Sequence, residues 1–387
     1  MLFVIGTLDV GGAEMQLVEL VQRLDARRFR PMVCCLAREG PLAAALHEAH
    51  VPVFSIGFVG FRQRGVWLSL TRAIPRLWHL FRIIRRERPQ IVHGVLFWAY
   101  VLGAFTARLA RVPTVVASRR SLGLFKADKP HYLRVERLAN WLTDVFVANS
   151  MAVRCDAIQR EKLDPRRVLV IYNGVDFARF RATPDRPDTE RGFPRVLVVA
   201  NLIPYKGHRY FLQAWQRVLR RFPDAQAQLA GEGDMLEELL ALADQLGVGA
   251  SVSFLGRRAD VPDLLAACDL YVHPSLQEGY SNAVLEAMAA GAPIVATAVG
   301  GTVEAIADGE TGLLVPPADA DALERAIVRL LEDRPAARRM GRRAASVARS
   351  RYDMDCVVDR YEAIYEQLAA GDVPEFDAAE DMSRCAV

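Results

Sequence analysis

The sequence is short of lysine, of ordered cysteine and of long apolar runs, and each shortage narrows what the protein does. Only four of its 49 basic residues are lysines (Lys126, Lys129, Lys162 and Lys206), a bias that reflects codon usage more than function. It makes any lysine at a critical place more interesting. The six cysteines (Cys34, Cys35, Cys155, Cys268, Cys356 and Cys385) show no C-x-x-C spacing and no regular framework. Scattered thiols of this kind suggest a reducing compartment. The longest apolar run, residues 95–107, is too short to span a bilayer. No charged n-region followed by a cleavable apolar segment opens the chain. The expected location is cytoplasmic, with peripheral contact at the inner face of the plasma membrane. A first strand beginning at Leu2 leaves almost no lead-in, which raises a misplaced start codon as an expectation.

What is there is globular: 387 residues, 52% hydrophobic and 25% charged, with ample material for two cores. The net charge of +3 conceals a split, since residues 1–180 carry +13 and the remainder −10. Two domains with different partners would show such a split, the basic half favouring an anionic surface or substrate. Mutual attraction of the two domains is the plainer alternative.

Short β-branched runs at 2–6, 32–36, 51–56, 91–92, 114–117, 145–148 and 168–171 predict buried strands. Helical patterns at 13–24, 42–49, 66–86, 99–110, 132–142 and 151–160 lie between them. The stretch "RATPDRPDTERGFPR", residues 181–195, is rich in proline and charge and reads as a linker. A second series follows, with strands expected at 196–199, 227–229, 252–254, 270–272, 294–296 and 312–315. Alternating strands and helices imply parallel sheets with right-handed crossovers. The expected fold is α/β, two doubly wound Rossmann-like domains facing a central cleft, with ligands beyond the carboxyl ends of the strands.

Chemistry concentrates in "QEGYSNAVLEAMAAG", residues 277–291. Ser281 or Asn282 caps a short helix that Gly291 ends, so the free N–H groups of its N-terminus point at the mouth of the sheet. Glu278 lies in the approach loop and Glu286 one turn into the helix. A carboxylate accepts twice and suits a vicinal diol; solvated surface carboxylates are the bland alternative. Lys206 precedes a helix at the end of the strand at 196–199, where a compact mobile cation could neutralise a departing diphosphate. "GTLDVGGAEMQL", residues 6–17, joins the first strand to the first helix, and its Gly11–Gly12 pair permits close backbone approach. It does not match G-x-G-x-x-G. Further glycine loops follow strands at Gly231–Gly233 and Gly300–Gly301.

Taken together, the E-x7-E block "EGYSNAVLE", the following 287–319 segment, Lys206-Gly207 and residues 252–275 resemble retaining glycosyltransferases of family 4, which have the GT-B fold. The resemblance runs nearly the full chain and is stronger in the second half. It implies an acceptor-side domain over 1–180, a nucleotide-sugar domain over 195–350, a helix over 351–370 packing back on the first domain, and a flexible tail over 371–387. Glu286 would bind the ribose of a sugar nucleotide, Glu278 the transferred sugar and Lys206 the diphosphate. Gly12 and the backbone of Gly279, Tyr280, Ser281 and Asn282 would line the pocket, with the segment 254–257, including Leu255, beside the base.

The implied reaction is hexosyl or N-acetylhexosaminyl transfer to a glycan or lipid-linked acceptor in cell-surface polysaccharide or glycolipid synthesis. It is expected to need no metal and no cofactor, the donor being a UDP-sugar in preference to a GDP-sugar. Two positions depart from the family. Asn201 stands where an arginine is usual, so one diphosphate counter-charge is missing. The strand that often ends at a histidine instead ends "VVASRRSLG", and Arg119 or Arg120 is expected to reach sugar or phosphate. His93 is a further acceptor-side candidate, with a packed structural role as its alternative. The helix at 65–90 mixes tryptophans with arginines and could lie on an anionic membrane or serve as an ordinary sheet-covering helix. No nucleic-acid module is apparent. The competing functions are an epimerase or phosphorylase on the same plan, and a degenerate sugar-nucleotide-binding subunit, which Asn201 keeps open.

Overall fold

The computed structural model describes residues 1–58, 66–126, 130–180 and 193–374; the expected linker and tail lie largely outside these. Among the described residues, thirteen strands form two parallel sheets. The first contains β1 (Leu2–Ile5), β2 (Met32–Cys35), β3 (Val53–Ser55), β4 (Ile91–Val95), β5 (Thr114–Arg119), β6 (Val145–Ala148) and β7 (Val168–Val170). The second contains β8 (Arg195–Val199), β9 (Gln226–Ala230), β10 (Val252–Gly256), β11 (Leu270–His273), β12 (Ile294–Thr297) and β13 (Leu313–Val315). Every expected strand is present.

The spatial order is β3-β2-β1-β4-β5-β6-β7 in one sheet and β10-β9-β8-β11-β12-β13 in the other. Each order reverses direction once, between β1 and β4 and between β8 and β11. Loops leaving such a pair diverge to opposite faces and open a crevice at the carboxyl ends. These two mouths are where chemistry is to be sought.

Burial explains why the strands read as continuous apolar runs. Alternate residues face opposite sides of a sheet, and helices cover both. In β1, Leu2 and Val4 join one core cluster while Phe3 and Ile5 join another, all four fully buried. The first cluster is closed by the helices Val66–Glu87, Phe97–Leu109 and Pro130–Trp141. The second is closed by the helix Gly12–Arg23 and by the C-terminal helix Met354–Ala370, whose Val357, Tyr361 and Tyr365 pack beneath β1 and β4.

The chain accordingly divides into two compact units, one of Met1–Asn173 with the C-terminal helix and one of Gly174–Asp353. Cys34 and Cys35 on β2 are buried, free thiols, and burial pushes Cys35 up to about 12. No helix among the described residues is long and apolar enough to cross a membrane.

Candidate active site

In the second unit the loops after β8 and β11 are laced together. Pro204–Lys206 forms one 3-10 turn, and Leu276 donates its N–H to the Tyr205 carbonyl at 2.7 Å. Gly207 has φ +71°, and a Cβ there would lie 1.9 Å from the Pro274 carbonyl oxygen, so only glycine fits. The lacing carries Lys206 to Glu278. Lys206 Nζ donates to Glu278 Oε1 at 2.6 Å, and His273 Nε2 meets the same oxygen at 2.9 Å. Behind His273, the Tyr271 hydroxyl lies 3.0 Å from Nδ1.

Tyr271, His273 and Glu278 are buried and Lys206 is half-buried, so the four residues form a chain from strand to rim. Burial alone would raise the Glu278 carboxyl, but His273 and Lys206 overcome it and hold the group down at about 2. Glu278 is therefore an anion with a fixed orientation. A third loop completes its seat: Gly300 has φ +47°, a Cβ there would lie 1.8 Å from the Glu278 carbonyl, and Gly301 N–H donates to Gly279 at 3.1 Å.

The helix Asn282–Ala289 begins at this loop. Ser281 is its cap, accepting from Val284 N–H at 3.4 Å, which settles the Ser281-or-Asn282 alternative. Tyr280 is buried with its ring 5.7 Å from that of Tyr352. The Glu286 carboxylate accepts no hydrogen bond from the described residues, although the residue's backbone carbonyl accepts from Ala290 N–H at 3.0 Å. Burial pushes its carboxyl up to about 7, opposed by Arg179. It is a half-buried acceptor, poised between charge states, one turn from the helix N-terminus.

Asn201 is exposed at the end of β8, its carbonyl accepting from His208 Nε2 at 3.1 Å. Leu255 lies on the edge strand β10, next to the loop in which Gly231 N–H donates to the Gly256 carbonyl at 2.9 Å. Lys206, Glu278 and the 279–282 backbone thus come together at the β8/β11 mouth, with Asn201 at the end of β8 and Glu286 further along the helix.

The first unit's mouth differs from expectation. Gly12 opens the helix Gly12–Arg23 there, after Gly11 as a cap without a side-chain bond. Arg119, however, is buried within the fold. Its Nη2 donates to Glu161 and Asn140, each at 2.8 Å, and its guanidinium lies 3.8 Å from the Tyr100 ring centroid. Those contacts lock it into the layer beneath the sheet, so the expectation that Arg119 reaches a ligand is corrected. His93 is corrected likewise. Its two ring nitrogens are each 2.8 Å from a hydroxyl, of Tyr365 and of Ser118, and burial foremost, then Arg120, lowers it to about 3. It is the packed, neutral histidine of the two alternatives.

Arg120, one residue beyond β5, stands at the mouth instead. It donates to Asn173 at 2.8 Å, while its buried Nε has no hydrogen-bond partner among the described residues. It is near enough to Glu14 to counter the burial that raises that carboxyl.

Sequence reasoning missed His273, Tyr271 and Arg179. For the first two a signal was present: they are alternate residues of β11 and so share one face, and His273 is a polar residue closing an apolar run. Arg179, in a 3-10 turn after the first sheet, carried no local signal.

Comparison with known proteins bears on the family and the fold. Residues 10–179 match the family model described as Glycosyltransferase Family 4, and residues 181–347 match Glycosyl transferases group 1. The chain is 28% identical over 346 residues to the Escherichia coli UDP-Gal:alpha-D-GlcNAc-diphosphoundecaprenol alpha-1,3-galactosyltransferase, covering 83% of this chain and 87% of that one. It is 26% identical over 367 residues to the lipopolysaccharide core biosynthesis glycosyltransferase LpsE of Rhizobium meliloti, covering 91% and 94%. Among solved structures it resembles Anabaena HepE in complex with UDP, with a TM-score of 0.82 and 26% identity over 95% of this chain and 99% of that one.

Proposed function

The chain belongs to the family 4 glycosyltransferases of the GT-B fold, and from that premise we propose that it moves a hexosyl or N-acetylhexosaminyl group from a UDP-sugar to a lipid-linked acceptor, with retention at the anomeric carbon. The observation that carries this reading is the Lys206–Glu278–His273 chain at the β8/β11 mouth. UDP rather than GDP is favoured because HepE is described with UDP and the E. coli relative is named for UDP-Gal. The lipid-linked acceptor follows that relative, which is named for a diphosphoundecaprenol acceptor.

Roles follow from the contacts. Lys206 has three donors, so it holds Glu278 and still offers N–H to a diphosphate oxygen as the glycosidic bond breaks. The N-terminus of Asn282–Ala289 adds backbone N–H groups to the same oxygens. Glu278, fixed by His273 and strongly acidic, accepts from hydroxyls of the transferred sugar. A carboxylate held near pKa 2 is a poor base, which leaves the departing phosphate to take the acceptor proton on the same face of the sugar. Glu286 accepts from the ribose diol. Charge neutralisation by Lys206 and the helix makes a metal unnecessary. Activated nucleotides place the reaction on the cytoplasmic side, with peripheral membrane contact to reach the acceptor. Asn201 sustains one other reading, a sugar-nucleotide-binding subunit without turnover.

The test is a melting-temperature titration with UDP, GDP and ADP in chelator, followed by turnover with UDP-sugars. Ligand at about 100 times its dissociation constant adds about 2.7 kcal/mol of stability. A UDP shift with turnover supports the enzyme; a shift without turnover on any acceptor supports the binding subunit; a GDP or ADP preference overturns the donor assignment.

A further inference from the structure

The first unit's mouth holds a cation and an apolar shelf close together, and the donor chemistry uses neither. Val95 of β4 pairs with Ser118 of β5, so the chain leaves these two strands at one place on the rim. Beyond β5 come Arg120, Leu122 and Leu124. Beyond β4 come Phe97 and Trp98, the opening residues of the helix Phe97–Leu109, and Tyr132 lies in the first turn of Pro130–Trp141.

The aromatic residues form the shelf. The Phe97 and Tyr132 rings stack 5.0 Å apart with 15° between their planes, and Trp98 stands edge-on to them at 5.1 and 5.2 Å. Phe97, Trp98 and Leu122 pack against the first core cluster, yet they and Tyr132 remain half-buried, and Leu124 is 41% exposed. The turn that brings Phe97 and Trp98 to the rim is tight. A Cβ at Gly94 would lie 2.2 Å from the Tyr100 Cα, so the helix is pressed onto β4, and Leu96 completes the turn at φ +70°. That backbone favours glycine, and strain of this kind gathers at ligand sites.

Arg120 supplies the charge. Its Nη1 donates to a neutral amide, that of Asn173, and its Nε–Nη2 edge makes no hydrogen bond among the described residues. Two parallel N–H groups on one edge of a guanidinium match two oxygens of a phosphate. The charge is felt at Glu14 and at His93, which places Arg120 between the helix Gly12–Arg23 and β4. Two residues separate it from Leu122, at most ~7 Å of chain. Phe97 and Tyr132 cover one face of each other, and the leucines extend the shelf with aliphatic surface, a lining suited to a flexible hydrocarbon more than to a flat ring. The ligand that fits is therefore anionic at one end and hydrocarbon at the other.

We propose that Arg120 and the shelf of Phe97, Trp98 and Tyr132 form a subsite for a prenyl diphosphate, with Arg120 holding the diphosphate and the shelf the first isoprene units. The inference rests on the lipid-linked acceptor reading, which it deepens by naming the part of the acceptor that the first unit recognises.

The experiment is calorimetric titration of the full chain with farnesyl diphosphate, below its micelle-forming concentration and in saturating UDP so that the donor site is filled. Farnesyl diphosphate is expected to bind at least ~10-fold more tightly than dimethylallyl diphosphate, which has the charge but little chain, and than farnesol, which has the chain alone. Arg120→Gln should weaken it ~10–100-fold, the range for losing hydrogen bonds to a charged group, and Arg120→Lys should restore part of that loss. Trp98→Ser should weaken it ~10-fold and shrink the preference for the longer chain. Leu124→Ser, at an exposed position that folding tolerates, should weaken it ~3-fold.

Melting temperature with and without UDP is read on every variant, and KM for a prenyl-diphosphate-linked sugar on those that keep the UDP shift. A raised KM with kcat held supports the subsite. Binding that vanishes in saturating UDP, or that is no tighter than for farnesol, overturns the subsite and leaves the donor reading intact. Transfer to the lipid-linked sugar with a KM that ignores Arg120 and Trp98 also overturns it, while keeping the lipid-linked acceptor. Turnover only on glycans without lipid overturns the acceptor reading and the subsite with it.

Discussion

The two sheet mouths were built by the same topology and hold opposite lessons. At the β8/β11 mouth the charged residues stand on loops beyond the strand ends, and glycines at 207 and 300 let those loops press together until Lys206 meets Glu278. At the β1/β4 mouth the charged candidates sit inside strands. Arg119 is the last residue of β5 and His93 the third of β4, and the pleat turns both into packed layers. One step along the chain reverses the outcome, because successive strand residues face opposite sides. Arg119 is buried on Tyr100 and Glu161, while Arg120 reaches the rim. Position relative to the strand end, more than residue type, decides whether a cation is structural or available.

Replacing Arg119 tests the contrast most severely. Arg119→Met leaves Glu161 buried without its partner, and breaking such a pair costs about 3–5 kcal/mol. Chemical denaturation should show that loss, while the UDP-induced shift in melting temperature survives. A variant that is stable and has lost UDP binding would return Arg119 to the ligand site. Glu278→Ala should do the reverse, lowering kcat by about 10²–10³-fold, as removal of a preorganised polar group at a reacting centre does. Retained turnover would remove Glu278 from the donor site.

The support behind Glu278 should matter less. His273→Leu removes one hydrogen bond to a charged group, about 1.5–3 kcal/mol, or ~10–100-fold in kcat/KM. Tyr271→Phe should cost about 0.5–1.5 kcal/mol. If Tyr271→Phe proved the more damaging, the order of the chain inferred here would be wrong.

A pH dependence separates the two glutamates of one helix and loop. Glu286 is raised to about 7 from 4.5, so the folded state holds a proton that the unfolded chain has released, and its ionisation destabilises the protein as pH rises from about 4.5 to about 7. Glu278 is lowered to about 2, so its stabilisation is present above about 4.5 and is lost as pH falls towards 2. A ribose diol donates best to an ionised carboxylate, so UDP affinity should rise through pH ~7. Glu286→Gln should flatten that profile; an unchanged profile assigns it to another group.

The order of strands and helices was legible because parallel strands covered on both faces leave unbroken β-branched runs. The E-x7-E block was legible because its spacing survives in one dimension. His273 was hidden, since a polar residue closing an apolar strand looks the same whether it serves a carboxylate or a core. Arg119 misled for the complementary reason: nothing local showed that Glu161, Asn140 and Tyr100 would gather around it from three other elements. Contacts between residues far apart in sequence are where reading a chain from one end to the other loses them.

The first unit takes its last helix, Met354–Ala370, from the far end of the polypeptide. Until a ribosome has made the second unit in full, Phe3 and Ile5 of β1 lack the tyrosines that will cover them. The usual N-terminal-first order of domain maturation is then inverted. The second unit, continuous in sequence, can finish while the first waits with an open flank. A premature stop before residue 354 would spare the half bearing Lys206 and Glu278 and cripple the half made earliest.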